Sequence, residues 1–92
     1  MTFVYPAIFT PHEDGKGYHA LFPDLECCEA DGGDLEDAVE EARYAAQNWI
    51  MVELEDEEGE LPYASHEDDI TLREGQLLKR ISVTVKHVPD ND

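Results

Sequence analysis

Positive charge is what this chain most lacks. Six lysines and arginines face 23 aspartates and glutamates in 92 residues, for a formal net charge of -17 at pH 7 with the four histidines neutral. A surplus of that size on a small body repels phosphate backbones and draws basic surfaces from within roughly 10 Å at moderate salt. Direct nucleic-acid binding is therefore disfavoured, and the partner the charge favours is a basic protein, although an acidic balance serves plain solubility equally well. Long apolar runs are missing too. None approaches the roughly 20 residues that cross a bilayer, and the opening "MTFVYPAIFTPHEDG" has neither the basic start nor the long apolar stretch of a secretory leader. The expectation is a cytoplasmic protein with no membrane association. Cysteine is scarce: Cys27 and Cys28 are neighbours and cannot staple distant parts of a fold, which removes the secreted disulfide scaffold.

What is present suffices for one core. Apolar residues make up 41% of the chain and aromatic ones 9%, enough to fold despite the charge. One domain is expected at this length, over residues 1–88, with 89–92 as a frayed tail. In "TFVYPAIF", Phe3, Tyr5, Ala7 and Phe9 share one face of a period-two strand, with Val4 and Ile8 opposite. Pro6 can donate no ladder hydrogen bond, so this strand is expected at a sheet edge or with a bulge. After the loop "TPHEDGKG", a second strand is expected in "GYHALFPDL", with Tyr18, Ala20 and Phe22 on one face. A short third is expected in "LECCEADGG", with Cys28 and Ala30 inward and Cys27, Glu29 and Asp31 outward.

Gly32 and Gly33 break that strand, and Asp34 reads as a helix N-cap, followed by Glu36 and Asp37 at the positive end of the helix dipole. Leu35, Ala38, Val39, Ala42, Ala46, Trp49, Ile50 and Leu54 then recur at three- and four-residue steps, which predicts an amphipathic helix of about six turns. Opposite them Glu36, Asp37, Glu40, Glu41, Gln47 and Glu55 give the helix an acidic outward face. Gly59 and Pro62 close the helical stretch, and "YASHEDDITLREGQ" has no period and reads as a surface connection. "KRISVTVKHV" predicts a final half-buried strand, with Ile81, Val83 and Val85 inward and Ser82, Thr84 and Lys86 outward.

These residues resemble the HicB antitoxin family. The likeness runs from "YPA" in the first strand through "FPDL", Cys28, Gly32 and "LEDAVEEA" to "GELPYAS" and "ISVTV", most of the chain. It implies an α+β domain of order β-β-β-α-β, an antiparallel sheet with one long helix packed on one face, described as a partial ribonuclease H fold. It also implies a homo-oligomer, dimer or tetramer, and pairing with a HicA toxin, a small basic protein that cleaves messenger RNA and whose active site the antitoxin blocks. Glu26 and Cys27 stand where the family often has Pro and Gly, so a differently shaped turn is expected after Leu25. Many members continue into an operator-binding segment; the expectation here is no separate DNA-binding domain.

Catalysis is not indicated. Metal-dependent cleavage of the ribonuclease H type needs convergent carboxylates on the sheet, and neither "TFVYPAIF" nor "ISVTV" supplies one. Neighbouring cysteines on a strand point to opposite faces and cannot chelate one ion together. His12, His19, His66 and His87 share no ligand spacing, and "EDEEGELPYASHEDD" lacks the ligand order of a calcium loop. No metal site, cofactor or enzymatic activity is expected. The chain reads as an antitoxin that occludes a basic HicA-like toxin, or alternatively as an orphan HicB-like homo-oligomeric module without a toxin. The outward acids Glu29, Asp31, Glu36 and Glu40 are the candidate partner-facing residues.

Overall fold

Alternation in the opening residues produces β1, Thr2–Pro11, whose inward side chains Tyr5, Ala7 and Phe9 are buried. A tight loop leads to β2, Tyr18–Leu21, and a double turn to β3, Glu29–Gly32. The helix α1, Leu35–Glu55, follows, then a connection holding one 3-10 turn, Glu67–Asp69, and finally β4, Leu77–Thr84. The computed structural model describes residues 2–56 and 59–85; the expected outward position of Lys86, the domain end at 88 and the 89–92 tail lie outside the described residues. The four strands form one antiparallel sheet in the order β3-β2-β1-β4. This is the α+β arrangement expected from the sequence.

Pro6 does not put β1 at an edge. β1 is interior, and its register with β4 runs unbroken from Thr2↔Thr84 through Pro6↔Arg80 to Phe9↔Leu77, without a bulge. The reason lies in the alternation of antiparallel ladders, where successive residues turn their N–H and C=O groups to opposite sides. Ser82 offers its carbonyl to Arg43 on α1, away from β1. Its pair with Val4, and by parity the pair Arg80 with Pro6, is therefore of the non-hydrogen-bonded kind. The Pro6 nitrogen then faces the β2 side, where pairing begins only at Ile8↔Leu21, so the missing donor costs the sheet nothing.

The helix is anchored at its start by reciprocal bonds. Asp37 N–H donates to the Asp34 carboxylate at 2.7 Å, and Gly33 N–H donates to the Asp37 carboxylate at 2.9 Å. Its floor is Ala38, Ala42, Ala46 and Ile50, all without exposure. Small floor residues let the helix sit close to the sheet, and Gly32 meets its backbone directly. A Cβ there would lie 2.2 Å from the Ala38 nitrogen and 2.6 Å from the Asp37 carbonyl carbon. Leu54, expected in the buried stripe, is exposed.

Between β2 and β3 the stretch "FPDLECC" closes one end of the core. Leu25 N–H donates to Phe22 O at 3.2 Å and Cys28 N–H to Leu25 O at 3.0 Å, so Phe22, Leu25 and Cys28 all turn inward. Cys28 thus precedes the third strand, which begins at Glu29. Cys27 adopts a φ of 62°, the left-handed region that favours glycine. The turn therefore keeps a conformation glycine would take, with a cysteine paying the steric strain. Trp49 Nε1 donates to Glu26 O at 2.8 Å and ties this turn to the helix. The connection from α1 to β4 is tied at both ends: Tyr5 Oη donates to Pro62 O at 2.6 Å, Asp24 accepts from the Ser65 amide and hydroxyl, and Gln76 donates to Thr10 Oγ1.

β4 is one sheet edge, and α1 reaches over it. Arg43 Nε donates to Ser82 O at 3.2 Å and Gln47 Nε2 to Thr84 O at 3.5 Å, so two outward carbonyls of the edge are occupied by helix side chains.

Two substitutions test this account. Gly32→Ala forces a methyl into helix backbone and is expected to cost about 3 kcal/mol, read from denaturant unfolding; a loss under a few tenths would refute the close approach. Cys27→Gly relieves the left-handed residue and is expected to raise stability by about 1 kcal/mol, the relief exceeding glycine's larger unfolded-state entropy.

Candidate functional site

The four acids expected to face a partner fall into two groups on different faces. Glu29 and Asp31 sit on β3, exposed on the sheet face away from the helix. Register brings them beside histidines remote in sequence: Leu21 pairs Glu29, and His19 pairs both Asp31 and Thr10. His19 Nε2 lies 2.8 Å from Glu29 Oε1, and His19 Nδ1 lies 3.1 Å from Asp31 Oδ1. The same Asp31 oxygen is 2.9 Å from His12 Nε2, and His12 Nδ1 is 2.9 Å from Lys16 O. Both nitrogens of His12 thus face acceptors, an arrangement satisfied in full only when the ring carries both protons. The Asp31 hydrogen bond, with Lys16 O behind it, raises the His12 pKa above 6.5, and His12 and His19 lower that of Asp31 below 3.8.

Neither spacing nor periodicity relates residues 12, 19 and 31, so nothing local joins these histidines to Asp31. Strand register alone does it. The cluster is a hydrogen-bonded network, and among the described residues no group of three His, Cys, Asp or Glu side chains is arranged to hold a metal ion. Nor is the cysteine pair reactive as a unit. Cys27 is exposed while Cys28 is buried, its thiol pushed up to about 11 by burial with a smaller contribution from Glu29.

Glu36 and Glu40 lie on the flank of α1 that faces β4. With Leu35, Val39 and Lys79 they line a shallow groove, and Glu40 pairs with Arg43 at 2.7 Å. Asp34 and Asp37 beside them are engaged in capping, so the first turn of the helix combines structural and outward acids.

The sequence reading missed one feature. The acidic outward face expected from Glu36, Asp37, Glu40, Glu41, Gln47 and Glu55 is interrupted along its middle by apolar side chains. Further along, Tyr44 (62% exposed), Met51 (42%) and Val52 (60%) stand in solvent, with the exposed Asn48 among them. Their steps of four, seven and eight residues put them on one face, so the signal was available in the spacing. Glu40 and Glu41 lie one turn before Tyr44, and Glu55 one turn after Met51. Arg43, the one cation of α1, is turned aside to β4. A second apolar feature lies on the open sheet face, where Leu21, Ile8 and Leu78 form a row across β2, β1 and β4. No helix among the described residues is long and apolar enough to cross a membrane.

A family model described as HicB-like antitoxin of bacterial toxin-antitoxin system matches residues 5–88. No curated protein matches the chain. Among solved structures, the chain is similar to one in a toxin-antitoxin complex from Streptococcus pneumoniae, at 23% identity and a TM-score of 0.69, over 91% of this chain and 70% of that one. It is also similar to a chain of the HicA3 and HicB3 toxin-antitoxin complex, at 21% identity and a TM-score of 0.65, over 91% of this chain and 99% of that one.

The histidine network predicts a pH window. His12, with its pKa raised, contributes stability fully below 6.5 and loses it as pH rises through the raised value; Asp31, with its pKa lowered, contributes above 3.8 and loses it as pH falls through the lowered value. The melting temperature of the native protein should therefore exceed that of His12→Gln between about pH 4 and 6.5, with the gap closing toward pH 8. A gap independent of pH would show that the pairing is without effect.

Proposed function

The chain belongs to the HicB-like antitoxins of bacterial toxin-antitoxin systems, and from that premise we propose that it binds a small basic HicA-like toxin and neutralises it by covering the surface that cleaves messenger RNA. Family membership is the observation that carries this reading. The net charge of -17 supports it, since a protein that handles RNA is basic and an acidic body competes for the same surface. β1 and β4 carry no carboxylate, which favours action by occlusion over cleavage.

The mechanism has two parts with different ranges. The whole acidic surface, Glu29 and Asp31 included, attracts the toxin at distance and orients it, an effect chiefly on association rate. Glu36 and Glu40, outward on the helix flank, belong to the contact itself in this reading and meet basic side chains at the rim. The row Leu21, Ile8 and Leu78 on the open sheet face favours a second reading, a homo-oligomeric module that covers this face with another copy and has no toxin.

Co-expression with the product of the adjoining reading frame separates the two. The expected outcome is a co-purifying complex in which RNA cleavage is suppressed, and an association rate that falls at least about tenfold between low and high salt. A toxin that stays fully active with saturating antitoxin would overturn the first reading and leave the oligomeric one.

A further inference from the structure

We propose that the outward face of the second half of α1, formed by Tyr44, Met51 and Val52 and bounded by Glu40, Glu41 and Glu55, is the seat of the toxin: it takes an apolar ridge of a basic protein whose lysines and arginines meet the bounding acids. The proposal rests on the antitoxin reading and names the surface that would perform it. Of the exposed large apolar side chains, Tyr44, Met51 and Val52 stand together on one helix face, with carboxylates before and after them. Contiguous apolar surface with a polar rim marks a contact site, and tyrosine is among the residues that dominate binding energy when buried at the centre of one. Charge alone does not hold a complex. It speeds encounter, and the lifetime comes from a desolvated apolar centre.

The occupant follows from the rim. A second copy of this chain is opposed by charge: a two-fold contact centred near Asn48 sets Tyr44 against Val52 but lays Glu41 of one helix against Glu55 of the other, and a parallel one sets each acid against itself. Like charges facing each other oppose association. An anionic membrane and a nucleic acid are refused on the same ground. Arg43, the only cation of the helix, pairs with Glu40 and reaches Ser82 O, and so leaves the outward face to acids and apolar groups. A basic protein satisfies both halves of this surface at once.

The test uses the full chain and the product of the adjoining reading frame as probe. Tyr44→Lys and Val52→Lys alter exposed side chains, so circular dichroism and melting temperature should match the native protein. Binding should weaken at least 100-fold, mainly through faster dissociation, and RNA cleavage should return. Val4→Lys, on the open sheet face, should change affinity less than threefold. If both helix variants bind like the native chain, or if Val4→Lys alone abolishes binding, the assignment of this face is overturned while the antitoxin reading stands. If the native chain itself fails to bind, both fall together. If the helix variants instead convert an oligomer of this chain to monomer, the face is a contact between copies and the proposal is wrong.

Discussion

The close contact of α1 with the sheet, made at three of its buried positions through alanine, sets the rest of the structure. Ala38, Ala42 and Ala46 bring the helix down, and Gly32 admits its backbone to a distance no side chain would allow. A sheet this small cannot fill a thick core, and a close helix converts few large residues, Phe9, Phe22, Leu25, Ile50 and Ile81, into a complete one. The same closeness fixes the helix axis. From that axis follow the flank that carries Glu36 and Glu40, the reach of Arg43 and Gln47 to β4, and the direction in which Tyr44, Met51 and Val52 point.

Much of this was legible in the sequence because it depends on local periodicity. The helix, its Asp34 cap, the alternation of β1 and β4, and the inward direction of Cys28 all follow from residues within a few positions of each other. The position of Pro6 was not legible, because whether a missing N–H matters depends on which side of the strand it faces and on where a second strand ends. Cys27 hid a glycine-like turn, since residue type usually reports a positive φ and here it does not. The joining of His12, His19 and Asp31 depends on register between three strands. The apolar stretch of the outward helix face was legible and was overlooked, because so many acids along the chain made the face look uniformly charged.

"FPDL" and the Ser65 of "YAS" find their explanation in folding, whereas Tyr63 stands 97% exposed. Asp24 holds Ser65 by two hydrogen bonds, and Phe22 and Leu25 close the end of the core. Carboxylates in this protein therefore have three separate jobs: capping and stitching at Asp34, Asp37 and Asp24, pairing with histidine at Glu29 and Asp31, and facing solvent along the helix. A residue count of acids cannot distinguish these.

The hold of Arg43 and Gln47 on the β4 carbonyls links the integrity of the helix to the behaviour of the sheet. An uncovered strand is a template on which other chains can stack. Here the cover is supplied by the middle of α1, so a protease cut or local melting that lifts that part of the helix uncovers the strand in the same event. Damage to one element thus opens the pairing edge of another, so the two are protected or exposed together.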